Sequence, residues 1–367
     1  MSKIAIIGAS IGQLPLCKKA KEMGLETICF AWDENAICKD YVDKFYPVSV
    51  LEKELIVEIC KKEGVDGVVS NASDLLAKIT AELSQELNLI GNSVECISQI
   101  LDKYQIRKLT EDLGVFKAIQ YVEYNGNIPN FFPCVAKPTT GSSKSGVQFI
   151  KSKDEFNDAI TYTKNVSENI IIEEYIPGRE ISVECLSFCK HHNVIQITDK
   201  VSSGPPHFVE LAHHQPANLD YSIITKIHSI IPQLLDYLGF ENGASHIELK
   251  IDEHKNIYLI EVNPRGAGGE ISSQLVFLST GYDYLKAMID VALGNFTSPH
   301  IKCECYSGIY FLCDQTKYLI NFFREADSKT WCVEKRIKSY NLQSATSNYN
   351  RNGFVVYKSN HKINIDE

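Results

Sequence analysis

Two runs near residue 250 put acidic side chains where a cation and an anion could meet. Ser245-His246-Ile247-Glu248-Leu249-Lys250-Ile251 reads as one strand and Ile257-Tyr258-Leu259-Ile260-Glu261-Val262-Asn263 as the next, with Glu253-His254-Lys255-Asn256 as the turn. A four-residue hairpin loop would set Glu248 opposite Glu261, and alternation puts Glu261, Asn263 and Arg265 on the same face as Glu248. Two facing carboxylates repel unless something positive lies between them. A hard divalent cation suits them, with Asn263 as a third oxygen ligand, and Mg2+ keeps further positions for water and phosphate oxygens. The cluster therefore points to a metal–nucleotide site, where Arg265 could hold a phosphoryl group as it forms. The alternative is a solvated hairpin face with cross-strand pairs. Gly266-Ala267-Gly268-Gly269 weighs against it, because such a run lets backbone amides approach an anion.

Two further segments fit a nucleotide. Val135-Ala136-Lys137-Pro138 is a strand ending in lysine, and Thr139 to Gly146 follows as a loop of small residues that includes Ser142 and Ser143. Such a loop could close over phosphates that Lys137 reaches from the strand, although a plain hairpin turn has the same composition. It is not a P-loop, because the G-x-x-x-x-G-K-[ST] order is absent. Ile170-Ile171-Ile172-Glu173-Glu174-Tyr175-Ile176 is an apolar strand running into an extended link, and Arg179 to Glu184 is another strand. The link's backbone could read an adenine edge and Glu180 could accept from ribose hydroxyls; an ordinary edge connection is the alternative.

In order and spacing these pieces resemble the ATP-grasp superfamily. Asp102-Lys103-Tyr104-x-x-Arg107 is similar to its first phosphate-binding lysine segment and Lys137 to its second. Residues 139–146, with Ser142, Ser143 and Gly146, are similar to its glycine-rich flap, Glu173-Glu174-Tyr175-Ile176 to its adenine hinge, and Glu180 to its ribose-binding acid. Glu248, Glu261 and Asn263 resemble its Mg2+ (or Mn2+) ligands, and Arg265 its phosphate- and acyl-phosphate-binding arginine.

The resemblance implies an ATP-dependent carboxylate–amine ligase. In such an enzyme Lys103 and Lys137 align the γ-phosphate, the carboxylate becomes an acyl phosphate held by Arg265 and the Gly268 and Gly269 amides, and an amine attacks it. Phe208 to Ala217 looks like the acceptor-side segment of L-amino-acid ligases, which implies that Glu210 holds an ammonium and that His213 sits by the carboxylate or the transferring acyl group. His213-His214 reads as a pair in a polar loop; adjacent histidines point apart and no third partner is near, so it is a poor metal site, and a surface loop capping the sheet is the alternative. Other readings stay open: an amino sugar or biosynthetic intermediate as the amine, bicarbonate as the carboxylate, a kinase that stops at phosphorylation, or an ATP-binding sensor or subunit without turnover.

These groups need a scaffold of strands. Residues 1–95 alternate strand and helix patterns, which predicts a Rossmann-like parallel α/β domain. Residues 96–298 read as a mixed α+β body, the ATP-grasp domain of two subdomains, and residues 299–367 as a small β-rich C-terminal subdomain. Gly8-x-x-x-Gly12 lacks the third glycine of a dinucleotide fingerprint and is read first as a tight turn.

Composition bounds the partners. A net charge of −9 argues against nucleic acid and anionic membrane surfaces. No apolar stretch reaches the roughly 20 residues that span a bilayer. Twelve cysteines without a C-x-x-C pair or a leader predict reduced, mostly buried thiols in a cytoplasmic protein. The expected partners are a small-molecule carboxylate and amine, and a homodimer is compatible with this layout.

Overall fold

The computed structural model describes residues 1–141 and 144–363. Near the N-terminus, Lys3–Ile7, Glu26–Phe30, Lys44–Tyr46 and Gly67–Val69 form a four-stranded parallel sheet, with Lys3–Ile7 between Glu26–Phe30 and Gly67–Val69. Its strands are apolar on both faces because helices cover both. Gly8 ends the first strand at φ +90°, where a Cβ would come within 2.5 Å of Leu76. Gln13 closes the turn, accepting from Ser10 N–H and donating to the Asn71 carbonyl.

Serine and aspartate side chains start the helices that lead into the body. Ser73 caps Asp74–Leu87 by accepting from Leu76 N–H, and Ser93 caps Val94–Leu101 through Cys96 N–H. Asp102 caps Lys103–Glu111 through the amides of Tyr104 and Gln105. That cap fixes where Lys103 points.

A small antiparallel sheet runs in the order Tyr121–Glu123, Ile170–Glu174, Cys134–Pro138, Gln148–Ile150. The main sheet has eight antiparallel strands. It runs from Ile257–Asn263 through Gly243–Ile251, Arg179–Phe188, His191–Ser202 and Glu210–Gln215 to Tyr306–Leu312, Gly353–Ser359 and Cys332–Ile337. The three strands beyond residue 299 therefore extend the same sheet, joined where Ala212 to Gln215 pair with Tyr310 to Ser307. The largest core cluster lies between this sheet and helix Tyr221–Tyr237, around Ile227, Ile231, Leu234 and Leu249. All twelve cysteines are free, and eight are buried in these cores. No helix among the described residues is long and apolar enough to cross a membrane.

Candidate active site

The site lies in a cavity of about 420 Å³ lined by both antiparallel sheets and by Asp74 of the N-terminal unit. Glu248 stands opposite Glu261, and two departures from an ideal hairpin cancel to put it there. The link is Asp252–Asn256, one residue longer than the expected turn, and Ile260 is left over as a bulge that restores the register. The bulged carbonyl of Ile260 accepts from Arg107 Nη2 at 2.8 Å.

Each acid faces its own lysine. Lys103 Nζ lies 2.9 Å from Glu261 Oε1, and Lys200 Nζ lies 2.5 Å from Glu248 Oε1. Lys200, whose side chain is 2% exposed, also lies 3.2 Å from Glu210 and 3.5 Å from Glu180. Burial alone would lower the Lys200 ammonium, but Glu248, Glu210 and Glu180 hold it well above the ordinary lysine range. In return, burial pushes Glu248 and Glu210 up, and Lys200 outweighs it to keep both well below the usual carboxylate range. Glu261 is also lowered: burial and the facing Glu248 raise it, and Lys103 more than offsets them.

Asn263 Oδ1 accepts from Arg265 Nη2 at 3.2 Å, and Arg265 Nε donates to Asp74 Oδ1 at 2.5 Å. Gly269, at φ +60°, passes so close to His213 that an added Cβ would lie 3.1 Å from its Nε2, whereas beside Gly268 there is open space. Among the described residues no group of three His, Cys, Asp or Glu side chains forms a cation cage. Two carboxylates with Asn263 leave most positions for outside ligands, which suits Mg2+ carrying nucleotide phosphates.

On the small sheet, Lys137 and Glu173 share a face and meet at 2.5 Å, and Arg107 Nε reaches the same carboxylate at 2.7 Å. Burial lowers the Lys137 ammonium, and Glu173 partly restores it. The Glu173 carboxylate is thus committed to a buried ion triad, which leaves the hinge's contribution to its backbone and to Glu174, Tyr175 and Ile176. The Tyr175 amide donates to the Pro133 carbonyl, and Lys250 Nζ donates to the Ile176 carbonyl at 2.9 Å. Lys250 lies 4.8 Å above the Tyr175 ring, which packs with Phe149 and Phe208. In the flap, Lys103 Nζ donates to the Gly141 carbonyl and Lys144 Nζ to that of Phe208. Gly146, at φ +74°, packs against Pro138 and Val166. Ser142 and Ser143 lie outside the described residues.

On the other wall, Glu210 and His213 belong not to a surface loop, as expected, but to strand Glu210–Gln215, which is paired on both sides within the main sheet. A bulge beside Val201 and Ser202 turns Glu210 to the face His213 occupies, and the two meet at 3.5 Å. Burial lowers the His213 imidazolium against the pull of Glu210, and its Nδ1 has no partner among the described residues. His214 points the other way, into Tyr310 and Tyr357. Apart from Ser142, Ser143 and Gly146, every residue expected from sequence to act in catalysis or to hold nucleotide, metal or substrate lines this one cavity. Sequence reasoning gave no role to Lys200, Lys250, Asp74 or Arg351, which line it as well. Lys200 carried no local signal, since it lies near the end of a strand, His191–Ser202, that mixes polar and apolar residues throughout.

The fold and this cavity match those of the ATP-grasp domain. A family profile described as the ATP-grasp domain matches residues 130–274. The formate-dependent phosphoribosylglycinamide formyltransferase of Sulfurisphaera tokodaii is 24% identical over 67% of this chain and 66% of its own length. The alanine–anticapsin ligase of Bacillus amyloliquefaciens is 27% identical over 65% of this chain and 57% of its own. The chain thus spans about two thirds or less of these curated relatives. Among solved structures, the L-amino acid ligase from Bacillus licheniformis superposes with a TM-score of 0.80 at 20% identity, covering 98% of this chain and 94% of that one. The chain thus carries an ATP-grasp domain over residues 130–274 and is similar in sequence and fold to ligases built on that domain.

Proposed function

We propose that the protein joins the carboxylate of one amino acid to the amine of another at the expense of ATP, through an acyl phosphate. One observation carries the reading: Lys103 and Lys137, the facing Glu248 and Glu261, Arg265 with Gly268 and Gly269, and the Glu210–His213 pair open onto a single cavity. Glu248, Glu261 and Asn263 would hold Mg2+, which when bound supplies positive charge to the nucleotide phosphates. Lys103 and Lys137 neutralise the phosphate being transferred, while Glu174, Tyr175, Ile176 and Glu180 hold the nucleoside. Arg265 and the amides of Gly268 and Gly269 stabilise the acyl phosphate. Glu210 draws the acceptor's ammonium beside it, next to the neutral ring of His213. No side-chain nucleophile is required, since the chemistry is positioning and charge stabilisation. Flap residues 139–146 exclude water from the acyl phosphate. We place the protein in the cytoplasm, where ATP and amino acids are supplied.

The test is incubation with ATP and Mg2+ against pools of the twenty amino acids, reading phosphate release and product mass. Phosphate together with a mass equal to two amino acids less water is the expected result. Silence across every pool would refute amino-acid coupling. The likeness to the S. tokodaii protein supports a second reading, in which phosphate release depends on formate.

A further inference from the structure

Arg351 comes from the far end of the chain, between the turn Asn348–Asn350 and strand Gly353–Ser359, and lines the same cavity. Its guanidinium lies over the Phe311 ring, 3.5 Å from the centroid, and Nη1 donates to the Glu210 carbonyl at 3.0 Å. Those two contacts fix the plane of the fork. The nearest carboxylate oxygen, Glu210 Oε2, stands 3.9 Å away, too far for a hydrogen bond. Glu210 has closer partners in Asn348 at 3.0 Å and Lys200 at 3.2 Å. The Nε and Nη2 edge of Arg351 therefore makes no hydrogen bond among the described residues.

A stacked, immobilised guanidinium with an open donor edge suits a planar carboxylate, which takes two parallel hydrogen bonds from it. Its neighbour narrows the choice further. Glu210 repels a doubly charged phosphate but attracts an ammonium. An α-amino acid carries its ammonium and carboxylate on one carbon, a spacing that matches an acid and a guanidinium side by side.

We propose that Arg351 binds the free carboxylate of the amine substrate while Glu210 receives its ammonium, so that the acceptor is an α-amino acid whose carboxylate survives the reaction. This rests on the ligase reading above. The acceptor nitrogen forms its bond to the acyl carbon as the acyl carbon–oxygen bond to phosphate breaks. Of the two protons the ammonium sheds, one ends on phosphate and the other goes to solvent. The activated carboxylate belongs to the other substrate, at Arg265 and Gly268–Gly269.

The experiment compares full-length wild type, Arg351→Gln and Arg351→Lys in initial-rate phosphate release. The acceptor is supplied either as the free amino acid or as its primary amide. Arg351→Gln should raise KM for the acid about 10- to 100-fold, the loss expected for one charge-assisted pair, and leave KM for the amide within about twofold. Arg351→Lys, which keeps the charge without the fork, should fall between. Equal changes for acid and amide, or an acceptor that must carry a phosphate, would overturn the subsite while leaving the ligase reading intact. Wild type that releases no phosphate with any amino acid would remove both.

Discussion

Glu248 and Glu261 face each other across one antiparallel pair, yet each is neutralised by a different lysine on a different element. Lys103 comes from a capped helix end, and Lys200 from the strand two places away in the sheet. The acids that would hold a cation are thus kept ionised and apart before one arrives. Lys200 also ties this acid pair to Glu210, the residue proposed to receive the acceptor's ammonium.

Replacing Lys200 by methionine should strand Glu180, Glu210 and Glu248 as like charges in a buried place. Removing one partner of a buried pair costs about 3–5 kcal/mol. Thermal melts should show a clear drop in the variant, and millimolar Mg2+ should restore more stability to it than to wild type. A variant melting like wild type would contradict the role given to Lys200.

Arg265→Ala and Glu261→Gln should each lower phosphate release by about 10²- to 10³-fold, the scale of losing one group that stabilises transition-state charge. Calorimetry of nucleotide binding should separate them, with Glu261→Gln weakening the Mg2+ dependence and Arg265→Ala sparing it. Unchanged turnover in both would sink the assignment of this face.

Gly269→Ala probes the anion loop. Its φ of +60° disfavours any side chain, and the new Cβ would press on His213 Nε2 at 3.1 Å. Turnover should fall at least about tenfold, because misplaced positioning groups are costly. Gly268→Ala, beside open space, should perturb folding less, and equal melting temperatures for the two alanine variants would argue against the strain.

His214 gives a pH signature. Burial, with Lys362 and His213 adding to it, pushes its imidazolium down to about 3. The unfolded chain takes up that proton near 6.5, so the stabilising contribution is complete above that pH and fades as pH falls toward 3. Denaturant titrations of wild type should lose stability on acidification more steeply than His214→Gln does. Parallel curves would show that His214 titrates alike in both states.

Much of the site was legible because strand periodicity is rigid. Alternation put Glu261, Asn263 and Arg265 together, and the structure joins Asn263 to Arg265 on that face; His213 and His214 do point apart, but on a strand where a loop was expected. The hairpin register came out as expected although the loop was misjudged by one residue, since the Ile260 bulge compensated. Long-range pairing was not legible. Nothing local marks Lys200 as the partner of three acids, Asp74 as the partner of Arg265, or Glu173 as the centre of a buried triad with Arg107 and Lys137. The tail read as an appendage because an aromatic-rich strand does not reveal which sheet edge it will join.

That edge has an evolutionary consequence. Residues 338–352 connect two outermost strands of the eight, Cys332–Ile337 and Gly353–Ser359, and bring Asn348 and Arg351 to the cavity. Loops at a sheet margin tolerate changes of length that inner strands do not. The groups proposed to handle phosphate sit at the opposite end of this sheet, on the small sheet and on helix Lys103–Glu111, while this part of the proposed acceptor wall rides on a segment that can be exchanged. Grafting this loop between related proteins should therefore change the choice of amine and leave the use of ATP alone.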